Sequence, residues 1–258
     1  MKGGITMNTI SIFNNKGGVG KTTTSINLSY NFSKYFDKRV LLLDLDGQAN
    51  ASKFFEIAEP KKHNISDILT ERLDIRNAIN HTQYENLDII TADVNLRVAY
   101  ELLQADDSII EKNMILKTAL SGVQNDYDFC IIDNAPSLTI GTDNALVASN
   151  EVIVPMNIDI YGFWGLNQVT DLIQKARETN PALFFRGCLI TKYVKNAKTE
   201  EYREGLKNNE NYPVFDTHIR KTDKMSESTF YREPISEYSR GSAAAVDYMR
   251  LAKEYLNQ

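Results

Sequence analysis

Lys16-Gly17-Gly18-Val19-Gly20-Lys21-Thr22-Thr23 follows an apolar run, Thr9-Ile10-Ser11-Ile12-Phe13. It precedes Thr24-Ser25-Ile26-Asn27-Leu28-Ser29-Tyr30-Asn31-Phe32, whose apolar residues recur at helical spacing. The first run reads as a buried strand, the glycines as a tight turn and the last stretch as a helix. A Gly-rich turn between a strand and a helix N-terminus is a phosphate cradle. Backbone N–H groups converge on the anion, and the helix end adds partial positive charge. Lys21 is placed to reach the outer phosphates of a nucleoside triphosphate, and the Thr22 hydroxyl to ligate Mg²⁺. Lys16, Gly17, Gly18, Val19, Gly20, Lys21, Thr22 and Thr23 are therefore the candidate nucleotide-binding residues.

Outward from this loop, strand-like and helix-like stretches alternate. Strands are predicted at 39–44, 87–91, 128–133, 151–155 and 187–191, with a short last one at 213–215. Helices are predicted near 95–105, 108–124, 163–179, 199–209 and 242–256, and short helices and loops over 51–82. The 39–44 strand is apolar throughout, as parallel strands covered on both faces are. The expected fold is α/β: a mostly parallel sheet with helices on both faces, of the P-loop NTPase type, in a single domain. Residues 1–8 read as a short N-terminal extension, with Met7 a possible second start, and 9–258 as the domain. In such sheets ligands sit at the carboxyl ends of the strands. Asp44, Asp46 and Asp133 fall at such ends with the loop.

The generic pattern G-x-x-x-x-G-K-[ST] would need Gly at position 15, where this chain has Asn15; it carries a second lysine, Lys16, instead. This deviant Walker A loop, K-G-G-x-G-K-[ST], resembles that of the ParA/MinD family of ATPases. The resemblance implies that Lys16 acts in trans, reaching the partner's phosphates in a nucleotide-sandwich dimer. Asp44-Leu45-Asp46-Gly47-Gln48-Ala49-Asn50 resembles the family's D-x-D-P-Q-x-N, with Gly47 in place of a proline. The resemblance gives Asp46 the part of positioning the attacking water and places Asp44 near the Mg²⁺ shell. Phosphoryl transfer to water is mostly positioning and charge neutralisation, so a carboxylate there has a clear physical use. Lys16, Lys21 and Asp46 are thus the catalytic candidates; Thr22, Asp44 and Asp133 are the metal candidates. Asp133-Asn134-Ala135-Pro136 keeps the acid of the family's D-x-P-P and loses its first proline.

Nearly the whole chain shares this likeness. Val152-Ile153-Val154-Pro155 with Gly165-Leu166, and Ile219-Arg220-Lys221-Thr222-Asp223-Lys224-Met225-Ser226-Glu227, resemble segments of the short-form ParA/Soj-type DNA-partition ATPases. For that branch the resemblance implies an ATP-dependent homodimer that binds double-stranded DNA without sequence preference. It also implies a ParB-like centromere-binding partner and a cytoplasmic, nucleoid-associated location. Lys221 and Lys224 stand at the family's arginine positions and Arg220 at its proline, with Lys195 and Lys198 further candidates for the DNA face. Lysine keeps the point charge that phosphate attraction needs and loses the bidentate fork. Thr191, Lys192, Ile219 and Arg220 are base-side candidates by resemblance alone.

Composition sets bounds on these readings. Net charge is −5, yet residues 186–258 carry 13 Lys/Arg against 11 Asp/Glu, so any DNA contact needs a local basic patch in the C-terminal part. Cys130 and Cys188 lie in apolar strands and read as core thiols. No apolar run is long enough to span a bilayer. A MinD-like, membrane-cycling ATPase would share the loop but end in a basic amphipathic helix lying on lipid. Here Val246, Met249, Ala252 and Tyr255 have core-packing spacing and acids interrupt the polar face, so the last helix reads as docked and no membrane partner is expected. A nucleotide-gated module that never hydrolyses is the other alternative, kept open by Gly47 and Ala135.

Overall fold

The computed structural model describes residues 6–57, 60–209 and 212–257, with backbone only at 160–164. The first five residues of the expected extension lie outside them. The chain begins with β1 (Asn8–Ile12), α1 (Lys21–Phe36), β2 (Val40–Leu45), α2 (Asn50–Phe55) and α3 (Ile65–Glu71). Next come β3 (Ile79–His81), β4 (Leu87–Ile90), α4 (Leu96–Ala105), α5 (Ile115–Ser121), β5 (Phe129–Asn134), α6 (Ile140–Ala148) and β6 (Glu151–Met156). It closes with α7 (Ile160–Thr179), β7 (Phe184–Ile190), α8 (Ala197–Lys207), α9 (Asp223–Tyr231), α10 (Ile235–Tyr238) and α11 (Ala243–Leu256).

Among the described residues the strands form one seven-stranded sheet in the order β3-β4-β2-β5-β1-β6-β7. All neighbours are parallel except the edge pair β3–β4. Side-chain alternation divides the central strands between two faces. Leu42 and Ile131 join α1, α10 and α11 on one face, whereas Leu41, Leu43, Cys130 and Ile132 join α3 to α6 on the other. Both faces are covered, which is why β2 and β5 carry no polar alternation and why the polar Thr9 and Ser11 of β1 are buried. The two cysteines are free and buried.

The expected fold class is the observed one. Three local expectations change. The 108–124 stretch is a short helical turn at Lys112–Met114 followed by α5, because Asp106, Asp107 and Ser108 form a polar turn ahead of it. Residues 213–215 run beside β7 but make only an isolated bridge, Val214 to Cys188. The antiparallel edge strand β3 and helices α6, α9 and α10 were not expected. The final helix is docked as its spacing predicts: Tyr248, Leu251, Ala252 and Tyr255 are buried. Tyr255 lies 5.4 Å from the Phe32 ring of α1, centroid to centroid.

Candidate nucleotide-binding site

The loop between β1 and α1 turns at two left-handed residues, Gly18 (φ 72°) and Gly20 (φ 90°), a conformation that glycine adopts without a Cβ penalty. Gly20 caps α1, so the helix N-terminus opens onto the loop. Lys21 is buried at 7% exposure, and its Nζ donates to the Lys16 carbonyl at 3.0 Å. Burial lowers the pKa of this amine, while the charges of Asp133 and Asp46 pull it back up. The ammonium is thus held at the phosphate end by the acids expected around it.

Asp44 and Asp133 are register partners at the carboxyl ends of β2 and β5, and both are fully buried. Burial pushes both carboxyls well above the usual carboxylate range, and at Asp133 the Asp44 charge adds to it. Their hydrogen bonding differs. Asp44 engages both oxygens, accepting from Asp46 N (3.0 Å), Ser52 N (2.9 Å) and Ser52 Oγ (2.7 Å). Asp133 Oδ1 accepts from Ser25 Oγ at 3.1 Å, whereas its buried Oδ2 has no partner. An unpaired buried carboxylate oxygen beside the Thr22 hydroxyl is a hard donor set of the kind Mg²⁺ takes, with water and phosphate completing the shell. The residues therefore fit the ion through Thr22 and Asp133. Asp44 shapes the turn beside them.

That turn carries Asp46, which is half-buried and accepts Gln48 N at 2.9 Å; Ala49 N closes the turn on the Asp46 carbonyl at 2.8 Å. A Cβ at Gly47 would meet nothing nearer than the Asp93 carbonyl at 3.8 Å, so glycine is not sterically demanded there. After Asp133, the Asn134 amide donates to Ser11 Oγ (2.8 Å) and the Ile12 carbonyl (3.2 Å). This pins the segment that Ala135 leaves without its proline.

Lys16 is engaged within its own chain. Its Nζ donates to Asp159 Oδ1 (2.9 Å) and Oδ2 (2.7 Å), just before α7. Its backbone N–H donates to Asn14 Oδ1, and the Asn14 amide holds the Pro155 carbonyl at 2.8 Å, tying the loop to the end of β6.

A cleft of about 550 Å³ runs from Gly20 and Thr23 between the segments after β6 and β7 to residues 219–226. Thr191 Oγ1 donates to the Val19 carbonyl at 2.7 Å, and Lys192, itself left-handed (φ 51°), donates from Nζ to the Gly18 carbonyl at 2.7 Å. Ile219 and Lys221 form the far wall, paired to Tyr193 through Tyr193 N–Ile219 O and Lys221 N–Tyr193 O, both 2.9 Å. Arg220 also lines the cleft. Its guanidinium turns to Asp247, with Nε–Oδ2 and Nη2–Oδ1 both 2.8 Å. Asn157, Tyr193 and Met225 also line the cleft and were not anticipated. Asn157 lies just past β6, so the strand-end rule could have found it. Lys221, Lys224, Lys195 and Lys198 are exposed; Lys224 pairs with Glu227 at 2.7 Å.

Residues 7–185 match a family model described as an AAA domain. The chain is 37% identical over 251 residues to the sporulation initiation inhibitor protein Soj of Bacillus subtilis, covering 95% of this chain and 96% of that protein. It is similar in structure to a plasmid partition protein of Borrelia burgdorferi: TM-score 0.75, 29% identity, 98% of this chain and 99% of that one. It is also similar to cobyrinic acid a,c-diamide synthase of Mycobacterium smegmatis with bound ATP analogue and magnesium: TM-score 0.82, 26% identity, 97% of this chain and 95% of that one.

Proposed function

The chain belongs to the ParA/MinD family of P-loop ATPases, and from that premise we propose that it is an ATP-dependent DNA-partition ATPase. ATP sits with its phosphates in the Lys16–Thr23 loop and its base in the cleft bounded by Thr191, Lys192, Ile219 and Arg220. Thr22 and Asp133 would hold Mg²⁺, which when bound would supply charge neutralisation on the phosphates. Lys21 binds the outer phosphates from its buried position. Asp46 orients the attacking water, in a turn whose shape Asp44 and Ser52 maintain. Lys16 leaves Asp159 and reaches the phosphates of a second copy, so that hydrolysis requires the homodimer. A cation added in trans at phosphoryl transfer is worth roughly 10³–10⁵ in rate.

The dimer presents Lys221, Lys224, Lys195 and Lys198 to double-stranded DNA without sequence preference. A ParB-like centromere-binding protein stimulates hydrolysis and releases it, and the cargo is a plasmid or chromosome region. The protein works in the cytoplasm on the nucleoid. Among the described residues no helix is long and apolar enough to cross a membrane.

One observation supports this reading: residues 219–221 wall the cleft next to the Lys16–Thr23 loop and include the exposed Lys221, which would bring nucleotide and DNA to the same short segment. The test is retention on immobilised duplex DNA. We expect retention with ATP and Mg²⁺ and release with ADP; equal retention in both states would overturn it.

A further inference from the structure

Helix α4 and its lead-in meet the turn that carries Asp46 at three places. Ahead of the helix, Ala92 N donates to Ser52 Oγ at 2.8 Å, and that hydroxyl donates in turn to Asp44. Around its N-terminus, the Asp93 carbonyl and Arg97 N lie 3.8 and 4.0 Å from where a Cβ on Gly47 would stand. From its buried face, Tyr100 Oη donates to the Leu45 carbonyl at 3.0 Å, in the peptide that joins Leu45 to Asp46. Burial and the charges of Asp44 and Asp46 raise the pKa of this phenol, so its hydroxyl stays a donor.

The same ring touches the segment behind the other acid. Gly141 lies in the first turn of α6, which follows Asp133-Asn134-Ala135-Pro136. A Cβ at Gly141 would overlap the end of the Tyr100 ring. Glycine weakens a helix relative to alanine, and here its missing side chain is the room that the ring fills. One buried side chain therefore spans from α4 to both acid-bearing segments. Both segments need such a brace. The Asp46 turn is closed by Ala49 N on the Asp46 carbonyl, with Gly47 and Gln48 at its centre. Glycine leaves that turn a wide choice of backbone conformations, although no close contact demands it there. After Asp133, Ala135 carries no ring to fix its φ.

We propose that Tyr100 is a positioning residue for hydrolysis: its phenol holds the Leu45–Asp46 peptide and α6 at a fixed separation. It thereby keeps the water-orienting Asp46 in place relative to the metal-side Asp133. Phosphoryl transfer to water is mostly positioning. A restraint that touches neither nucleotide nor metal acts on rate and leaves affinity alone. The effect on rate rests on the ATPase reading; the restraint on the turn does not.

The test uses the full chain as wild type, Tyr100→Phe, Gly47→Pro and the double variant. Phenylalanine keeps the ring against Gly141 and removes the bond to Leu45. Gly47 is outside the left-handed region, and proline is favoured at the second position of a β-turn. Proline also restricts the residue before it, here Asp46, so it supplies covalently the stiffness that the phenol supplies by hydrogen bonding. Tyr127→Phe is the control, because it removes another buried phenol bond, to Asp88 Oδ2 at 2.6 Å. Single-turnover ATP hydrolysis with Mg²⁺, ATP affinity by calorimetry and amide exchange at Asp46, Gln48 and Ala49 are measured.

We expect Tyr100→Phe to slow hydrolysis about threefold to tenfold, the scale of one neutral hydrogen bond. ATP affinity should hold, and exchange in the turn should quicken. Tyr127→Phe should leave the rate alone, and Gly47→Pro should speed hydrolysis more in the Tyr100→Phe background than in wild type. Equal losses in the two phenylalanine variants, or a proline effect independent of background, would overturn the positioning role. Should wild type hydrolyse no faster than Asp46→Ala, the ATPase reading fails and exchange alone decides the brace: unchanged exchange in Tyr100→Phe would overturn it.

Discussion

The phosphate end of the site and the lysine-bearing wall of the neighbouring cleft carry their cations in opposite ways. At the phosphate end, Lys21, Asp44 and Asp133 are buried at the ends of central strands, and burial shifts every one of their pKa values. At the wall, Lys195, Lys198, Lys221 and Lys224 stand in water, and their nearest restraint is an ion pair such as Lys224–Glu227. Buried charges interact through a weak dielectric, so each is worth much and none can be spared. Exposed charges are screened within about 8–10 Å at ordinary salt, so they act by number. Tight recognition of a few phosphates and loose recognition of a long polyanion thus need different burial, and under the proposed function this chain would use its buried cations for the first and its exposed ones for the second.

The largest expected effect lies at the buried end. Lys21→Ala removes the only buried member of the lysine pair in the loop, and truncating one partner of a desolvated charge pair costs about 2–5 kcal/mol. ATP affinity by calorimetry should fall roughly 30-fold or more. A loss under threefold would break the comparison, because it would make the buried amine as dispensable as an exposed one. A smaller effect is expected at the wall. Lys221→Ala with Lys224→Ala should leave ATP affinity intact and lower the DNA salt slope by about two. Because Lys224 already has Glu227, the single variant at Lys221 should account for the greater part. An unchanged slope would move the DNA face elsewhere.

The smallest effect concerns His218, half-buried against the Tyr193 ring at 4.2 Å between centroids. Burial lowers its pKa, and Arg203 and Arg220 lower it further, against the raising charges of Asp247 and Glu200. A depressed histidine binds more protons unfolded than folded, so its stabilising contribution is present above its ordinary value near 6.5 and is lost as pH falls from there through its lower folded value. Wild type should lose Tm between pH 7.5 and 5.5, and His218→Asn should lose less by roughly 1–2 °C. Identical acid slopes would show that this side of the wall is no more desolvated than the lysines around it.

What could be read from the chain follows the same division. Apolar β1, β2, β5 and β6 were legible because both faces of a central parallel strand are covered. The acids were legible because they end such strands. Ile79–His81 escaped notice because three residues on an antiparallel edge carry no long apolar run. Helix α6 escaped because Gly141, Thr142 and Asn144 are buried beside Leu146 and Val147, leaving no apolar stripe to detect. Within the site, the residues of the loop were plain, but their partners were not. Asp159 for Lys16 and Asp247 for Arg220 are brought up by tertiary packing, and the role of Ser52 in holding Asp44 depends on where α2 lands.

The Lys16–Asp159 contact has a consequence for timing. Its side chains are 30% and 39% exposed, and an ion pair in such contact with water is worth about 0–1 kcal/mol. The pair by itself is thus a mooring and no lock. In the proposed dimer, exchanging the Asp159 carboxylate for a neighbour's phosphates would be too small a step to set the clock, which would instead follow how often two loaded copies meet and align.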